Sequence, residues 1–302
     1  MPDFPTLSTA DRLDRLAPPE GEVPVVLDTD AHNEIDDQYA IAYALSAPDM
    51  AVEAIHAAPF DNDRSEGPAD GMERSHAEIE RVRSRLGADV PVREGSRSYL
   101  TGADEPVGSP AREDLIERAR ATDGPLYVVA IGAPTNVAAA LEAAPDLVGE
   151  LVVVWLGGTP HDWPTAREFN LRQDPRASRT LLDAGVPLVH VPCRNVAEHL
   201  RISLPELRAH LDPDEAAESY LIDIVEEYLD GPGPARSTVV WDVVAVAALR
   251  DPALVSTAVV HSPELTADLT WNRDPARHFV RVARRIDRDG IWNDVLRTLR
   301  AA

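Results

Sequence analysis

The sequence contains no lysine, and all 29 of its basic residues are arginine. Schiff-base aldolases, pyridoxal enzymes and Walker-type nucleotide hydrolases each require a lysine, so the composition excludes these classes. The single cysteine, Cys193, allows no intrachain disulfide, and we expect a reducing cytoplasm as the compartment. No apolar run approaches the length of a membrane span, and residues 1–22 lack the pattern of a signal peptide.

Positive charge is also scarce, because 52 acidic residues give a formal net charge of −23. Nucleic acids and anionic membrane surfaces would both be repelled by such a surface, so neither is expected as a partner. An acidic surface without lysine is also typical of proteins that work in concentrated salt, where dense ions screen self-repulsion. We therefore expect a halophilic protein with a small-molecule substrate.

Strand-like and helix-like segments alternate along the chain, a pattern that predicts a mostly parallel sheet covered by helices on both faces. We expect one α/β domain over residues 1–302, of Rossmann-like type, with a more helical C-terminal half and a sharp break at residues 231–234. The predicted strands cover 23–27, 51–55, 90–92, 126–131, 151–156, 187–191 and 278–286. The predicted helices cover 36–45, 73–86, 135–143, 174–184, 214–229, 241–249 and 291–299.

Four aspartates follow the first predicted strand: Asp28, Asp30, Asp36 and Asp37. Acids at a helix start are often favoured by the helix dipole, by about 0.3–1 kcal/mol each, but one residue would satisfy that need. Four carboxylates on one short loop repel each other unless a cation or hydrogen-bond donors neutralise them. An all-oxygen ligand set favours Ca²⁺ ahead of Mg²⁺, and the shortage of cysteine and of paired histidines argues against zinc.

Three more patches follow predicted strands or begin helices, and parallel strands would bring them to the same edge of the sheet. Each patch alone is also compatible with an ordinary turn or helix cap. They are the turn Ile131-Gly132-Ala133-Pro134-Thr135-Asn136, the loop from Gly157-Gly158 to Glu168-Phe169-Asn170 and Asp174-Pro175, and the pair Trp241-Asp242.

Together these patches resemble the calcium-dependent inosine–uridine nucleoside hydrolase family, over roughly residues 23–252. The resemblance implies hydrolysis of the N-glycosidic bond of a ribonucleoside to ribose and free base, in nucleoside salvage. It also implies a Ca²⁺-bound water activated by an aspartate, and a homo-oligomer, either a dimer or a tetramer.

The resemblance also implies residue roles. Asp30 would be the catalytic base and, with Asp37, Asp242 and the carbonyl of Ile131, would bind the metal. The residues expected to contact substrate are Asp36, Asn62 (or Asp61), Asp162, Glu168, Asn170 and Trp241.

Three departures from the family pattern concern the chemistry. The loop between the two acidic pairs, Ala31 to Ile35, is two residues longer, and Asp162 stands where asparagine is usual. Trp241 replaces a histidine able to protonate the departing base. His32 or His161 could supply that proton instead. Alternatively, the base could be activated by stacking on a tryptophan, for which Trp155, Trp163 and Trp241 are candidates.

Two other functions remain open from the sequence. Asp28-Thr29-Asp30 at a strand end also fits the start of a haloacid dehalogenase-type phosphatase, although no lysine is present to bind phosphate. The second is a metal-dependent nucleoside- or sugar-binding protein that keeps the pocket but has lost turnover. The absence of the histidine before Asp242 is compatible with that function.

Overall fold

The computed structural model describes residues 2–103, 106–230 and 236–301. Within these ranges the chain forms twelve strands and eleven α-helices. The strands are β1 (Val23–Thr29), β2 (Met50–Ala57), β3 (Val92–Arg93), β4 (Leu126–Ala130), β5 (Leu151–Leu156), β6 (Leu188–Val191), β7 (Arg201–Ile202), β8 (Thr238–Val239), β9 (Val255–His261), β10 (Glu264–Leu265), β11 (Trp271–Asn272) and β12 (Phe279–Ile286). The helices are α1 (Thr9–Arg15), α2 (Asp37–Ser46), α3 (Pro68–Arg85), α4 (Pro110–Ala121), α5 (Thr135–Ala143), α6 (Phe169–Gln173), α7 (Pro175–Asp183), α8 (Leu204–His210), α9 (Ala216–Tyr228), α10 (Val243–Arg250) and α11 (Arg288–Ala301).

The main sheet of the described residues has eight strands in the order β3-β2-β1-β4-β5-β6-β12-β9. All neighbours are parallel except β9, which pairs antiparallel with β12. The strand order reverses between β1 and β4, and ligands of open α/β sheets bind outside the carboxyl ends of the strands at such a point. The predicted mostly parallel α/β sheet is therefore confirmed, with β1 and its aspartates beside the reversal.

Alternate side chains of the central strands enter two apolar cores on opposite faces of the sheet. Val25 and Leu27 pack on the side of α2, α3, α9, α10 and α11. Val26 packs on the side of α4, α5 and α7. Because both faces are covered, the strands read as continuous apolar runs rather than as alternating ones. None of the described helices is both long enough and apolar enough to cross a membrane.

Several elements differ from the sequence-based prediction. The helix α3 begins at Pro68 rather than at residue 73, and α4 and β9 were not predicted at all. The second half was predicted to be more helical, but among the described residues it contains eight of the twelve strands beside six of the eleven helices, so strands rather than helices are concentrated there. The edge strand β9 was missed because most of its residues are partly or fully exposed. The break predicted at residues 231–234 lies outside the described residues.

Asn136, at the start of α5, holds three strand ends together beneath the acidic loop. Its side-chain amide nitrogen donates to a carboxylate oxygen of Asp28 at 2.8 Å and to the carbonyl of Ala57 at 3.1 Å. Its side-chain oxygen accepts from the backbone N–H of Ser96 at 2.8 Å. The ends of β1 and β2 and the segment after β3 are thus fixed by one buried side chain.

Candidate active site

Asp30 is buried at the end of β1 and faces a cavity, whereas Asp28 does not. Asp30 lies just past the last residue of the strand, so the alternation that would put both on one side no longer holds. A Cβ at position 132 would lie 3.0 Å from the Asp30 carboxylate carbon, so Gly132 leaves room for this side chain. Asp28 is held by Asn136, away from the cavity, which removes the nucleophile that a dehalogenase-type phosphatase would need.

Asp36, Asp37 and Asp242 converge on one point, with one carboxylate oxygen from each lying within 4.8 Å of the others. All three are buried, at the starts of α2 and α10. Asp37 accepts a hydrogen bond from the Thr29 hydroxyl, and Asp36 accepts one from the Trp241 backbone N–H at 3.1 Å. Among the described residues, Asp30 Oδ2 is buried without a hydrogen-bond partner. The group could hold a metal ion.

Burial raises the pKa of every carboxyl in this cluster. It raises the pKa of Asp37 to about 7, although the Thr29 hydrogen bond acts in the opposite direction. The pKa values of Asp30, Asp36 and Asp242 lie well above the ordinary range, first because of burial and then because neighbouring carboxylates repel one another. Since ionised acids are this costly to gather, a bound cation would relieve the repulsion.

Glu168 and Asn170, at the start of α6, also line the cavity. Glu168 accepts hydrogen bonds from the backbone N–H groups of Gly158 (2.7 Å), Asn170 (3.1 Å) and Leu171 (3.2 Å), so it caps this helix. The Asn170 amide donates to the carbonyls of Ile131 at 3.0 Å and Leu156 at 3.1 Å. The Ile131 carbonyl therefore lies at the site, with one lone pair already engaged.

The carboxylates described above, except those of Asp28 and Asp37, line a cavity of about 130 Å³ together with Asn170 and Ile131. Sequence reasoning missed six of its lining residues: Asn33, Glu34, Leu156, Phe169, Cys193 and Arg194. Two of them, Cys193 and Arg194, follow β6, and their position after a parallel strand was the signal available to find them. The other lining residues are Asp30, Asp36, Ile131, Glu168, Asn170, Trp241 and Asp242.

Two predicted substrate contacts are not brought to this cavity. Asp162 is exposed and lines a separate depression with His161 and Arg273. Asn62 donates to the side chain of Asn33 at 2.6 Å, so it supports a lining residue rather than lining the cavity itself. Both lie in loops, where spacing along the sequence does not fix the direction of a side chain.

The two candidate histidines are also elsewhere. His161 is buried with its Nε2 at 2.9 Å from Nδ1 of His190, and burial lowers its pKa to about 2. His32 lines a neighbouring depression that shares Glu34 with the cavity. His161 therefore has neither the place nor the pKa of a proton donor to a leaving group, and His32 lies to one side.

Of the three candidate tryptophans, the cavity is lined by Trp241. Trp155 is fully buried and stacks on His190, with the ring centroids 5.4 Å apart, so it belongs to the core. Trp163 is exposed and is not among the lining residues. A stacking role for an aromatic side chain thus falls to Trp241.

The sequence matches the profile of the family described as "Inosine-uridine preferring nucleoside hydrolase" over residues 25–293. The chain belongs to this family. A relative of this nucleoside hydrolase is the "Pyrimidine-specific ribonucleoside hydrolase RihA" of Enterobacter sp. (strain 638). It is 28% identical over 234 residues, which cover 68% of this chain and 72% of that protein.

Solved structures of nucleoside hydrolases share the fold. The plant enzyme PpNRh1 is 22% identical with a TM-score of 0.73, covering 93% of this chain and 99% of that one. An inosine-guanosine nucleoside hydrolase is 18% identical with a TM-score of 0.75, covering 92% and 99%. At these identities the likeness shows the fold alone. Membership of the family identifies the chain as a nucleoside hydrolase, and the predicted resemblance is confirmed.

Proposed function

We propose that this nucleoside hydrolase cleaves the N-glycosidic bond of a ribonucleoside to ribose and free base, with Ca²⁺ as its cofactor. The observation that carries the proposal is the convergence of buried carboxylates: Asp36, Asp37 and Asp242 within 4.8 Å of one another, with the unpaired Asp30 beside them. Oxygen ligands alone suit a hard cation, and the flexible geometry of Ca²⁺ suits it better than Mg²⁺.

Asp30, Asp37, Asp242 and the Ile131 carbonyl are the ligands we propose. Asp36 also lies close to Asp37 and Asp242, but its Oδ2 already accepts a hydrogen bond from the Trp241 backbone, and we assign it to the sugar instead. Asp36 would then contact the sugar, and its neighbour Asp37 would bind the ion. When bound, the cation would orient a water molecule and lower its pKa.

The side chains would then act as follows. Asp30, which lines the cavity and whose Oδ2 has no hydrogen-bond partner, accepts the proton of the attacking water. Asp36, Glu168 and Asn170 hydrogen-bond the ribose hydroxyls, and the surrounding carboxylates stabilise positive charge that develops on the sugar ring in an oxocarbenium-like transition state. Trp241 provides a flat face against which a base can pack.

The test is turnover of a panel of nucleosides (inosine, uridine, cytidine and adenosine) with and without Ca²⁺. The named relatives differ in the nucleosides that their names give, pyrimidine ribonucleosides in one case and inosine and guanosine in another, so the panel spans both classes. We expect Asp30→Asn to lower kcat by about 10³-fold or more, since it removes the base and a ligand together. The exposed Asp162→Asn serves as the matched control and should keep nearly full activity.

Two results would contradict the proposal. Activity that is unchanged after prolonged chelation with EGTA would contradict the proposed role of calcium. Near-normal turnover by Asp30→Asn would remove the assigned base. Calcium-dependent binding of nucleoside without release of free base would instead favour the binding protein that has lost turnover.

The resemblance supplies three further predictions: a role in nucleoside salvage, a cytoplasmic location and a homo-oligomer. The last is the simplest to check, by light scattering of the purified protein. A monomer at micromolar concentration would contradict it.

A further inference from the structure

Arg194 is the one basic side chain among the described residues that line the cavity. It follows β6 directly after Cys193, whose backbone N–H is fixed to the carbonyl of Gly158 at 3.1 Å. The residue after it, Asn195, has a φ of 59° and donates its backbone N–H to Glu198 at 2.7 Å. This turn sends the Arg194 side chain toward the cavity while leaving it about half exposed, at 55%.

The Arg194 guanidinium lies over the indole of Trp241, 5.5 Å from the ring centroid. Burial raises the pKa of Glu34 and the Trp241 side chain acts in the opposite direction, so the indole lies beside this carboxyl. Among the described residues, the charged group nearest to the guanidinium is Glu198, at the long distance of 3.7 Å, and the guanidinium makes no hydrogen bond. Most of its five N–H donors are therefore available to a ligand in the cavity.

The cavity lining therefore offers both signs of charge. Asp30, Asp36 and Asp242 supply carboxylates, and Arg194 supplies a guanidinium beside the Trp241 ring. The reaction also develops both signs of charge. When the bond between the sugar carbon and the base nitrogen breaks, its electron pair leaves with the base, and the sugar becomes positive.

Water adds its oxygen to the sugar carbon and gives one proton to Asp30. The base departs as an anion and then takes a proton from solvent, and Asp30 returns its own proton to solvent. A group that stabilises the anion therefore performs the task that a protonating histidine would otherwise perform.

We propose that Arg194 stabilises the departing base by donating its N–H groups to acceptor atoms on the base edge. This inference rests on the proposed function. The guanidinium fork matches paired acceptors such as a ring nitrogen and a keto oxygen. Arg194 would thus compensate for the tryptophan at position 241, and Trp241 would position it through the ring contact.

The experiment compares substrates whose leaving groups differ in how much help they need. Inosine and uridine release poor leaving groups, whereas p-nitrophenyl riboside releases a stable phenolate. We expect Arg194→Gln to lower kcat on the nucleosides by about 100-fold, similar to the loss of one oxyanion-stabilising donor. On p-nitrophenyl riboside we expect a fall of less than about threefold, since no such donor is needed.

Arg297→Gln is the matched control, because Arg297 is also exposed and has a similarly distant ion pair, at 3.8 Å to Asp294, outside the cavity. It should behave as the unmodified protein with both substrates. Arg194→Lys keeps the charge without the fork, and we expect it to recover part of the loss on nucleosides.

Equal losses by Arg194→Gln on both substrate types would overturn the proposal, because they would indicate a role in binding the sugar or in the fold. No loss on either would overturn it as well. Failure of the proposed function would look different, since the unmodified protein would then cleave neither the nucleosides nor p-nitrophenyl riboside.

Discussion

Replacing Asp37 by asparagine should stabilise the metal-free protein and remove most of its response to calcium. Asparagine keeps the size of the side chain and can still accept the hydrogen bond from Thr29, but it carries no charge. Burial raises the pKa of Asp37 from 3.8 to about 7. When the pKa of a carboxyl is higher in the folded than in the unfolded state, the protein loses stability as pH rises between the two values, because the folded form must give up the proton.

The size of the effect follows from that difference of about three pKa units. At pH 8 it corresponds to at most about 4 kcal/mol of lost stability, and relaxation and water entry reduce this to an expected gain of about 1–3 kcal/mol in Asp37→Asn. Calcium at 100 times its dissociation constant should stabilise the unmodified protein by about 2.7 kcal/mol. The variant, which lacks one ligand, should respond far less.

Urea unfolding at pH 8, in EGTA and in excess Ca²⁺, measures both quantities. Asp162→Asn removes one acid from an exposed loop outside the cavity and should respond to calcium like the unmodified protein. If Asp37→Asn is less stable than the unmodified protein in EGTA, burial of the Asp37 charge does not destabilise the fold. If calcium stabilises both proteins equally, Asp37 is not a ligand.

Three further outcomes are expected. Gly132→Ala should lower kcat about tenfold, since the new methyl would press on Asp30 from 3.0 Å, whereas Gly149→Ala, with open space around it, should not. Burial lowers the pKa of His190 from 6.5 to about 4, so this neutral histidine opposes unfolding above pH 6.5 and its contribution is lost as pH falls toward 4. The unfolding free energy, measured with urea, should therefore fall less between pH 7 and pH 4 in His190→Gln than in the unmodified protein, by about 3 kcal/mol. The net charge of −23 predicts a melting temperature that rises with molar KCl, and full stability in dilute buffer would contradict a halophilic origin.

The acidic edge of the site could be predicted from sequence because β1 is a buried parallel strand, so its carboxyl end had to face a ligand-binding edge. Glu168 and Asn170 lie in the loop that follows β5 and could reach the same edge, but the family resemblance was needed to assign them to the site. A family resemblance was needed to add Asp242, which begins a helix more than two hundred residues from Asp30. Local pattern alone could not pair them.

Residues in loops were less predictable. Asp162 and His161 are neighbours in sequence, yet His161 turns inward to His190 while Asp162 stays exposed. The direction of each depends on tertiary contacts, such as the hydrogen bond from Thr159 to the carbonyl of Thr165, that no short pattern encodes. Arg194 was missed because its neighbour Trp241 lies on a different element, and their contact exists only in the fold.

The hydrogen bonds of Asn136 to three segments of the chain also bear on how the enzyme loses activity on heating. One buried amide joins β1, β2 and the chain beyond β3, so we expect these strand ends to open together. Regions that open alone are those with few buried contacts, whereas Asp28, Ala57 and Ser96 are all buried. Heat should therefore abolish catalysis in the same cooperative step that melts the sheet, and inactivation would report global unfolding.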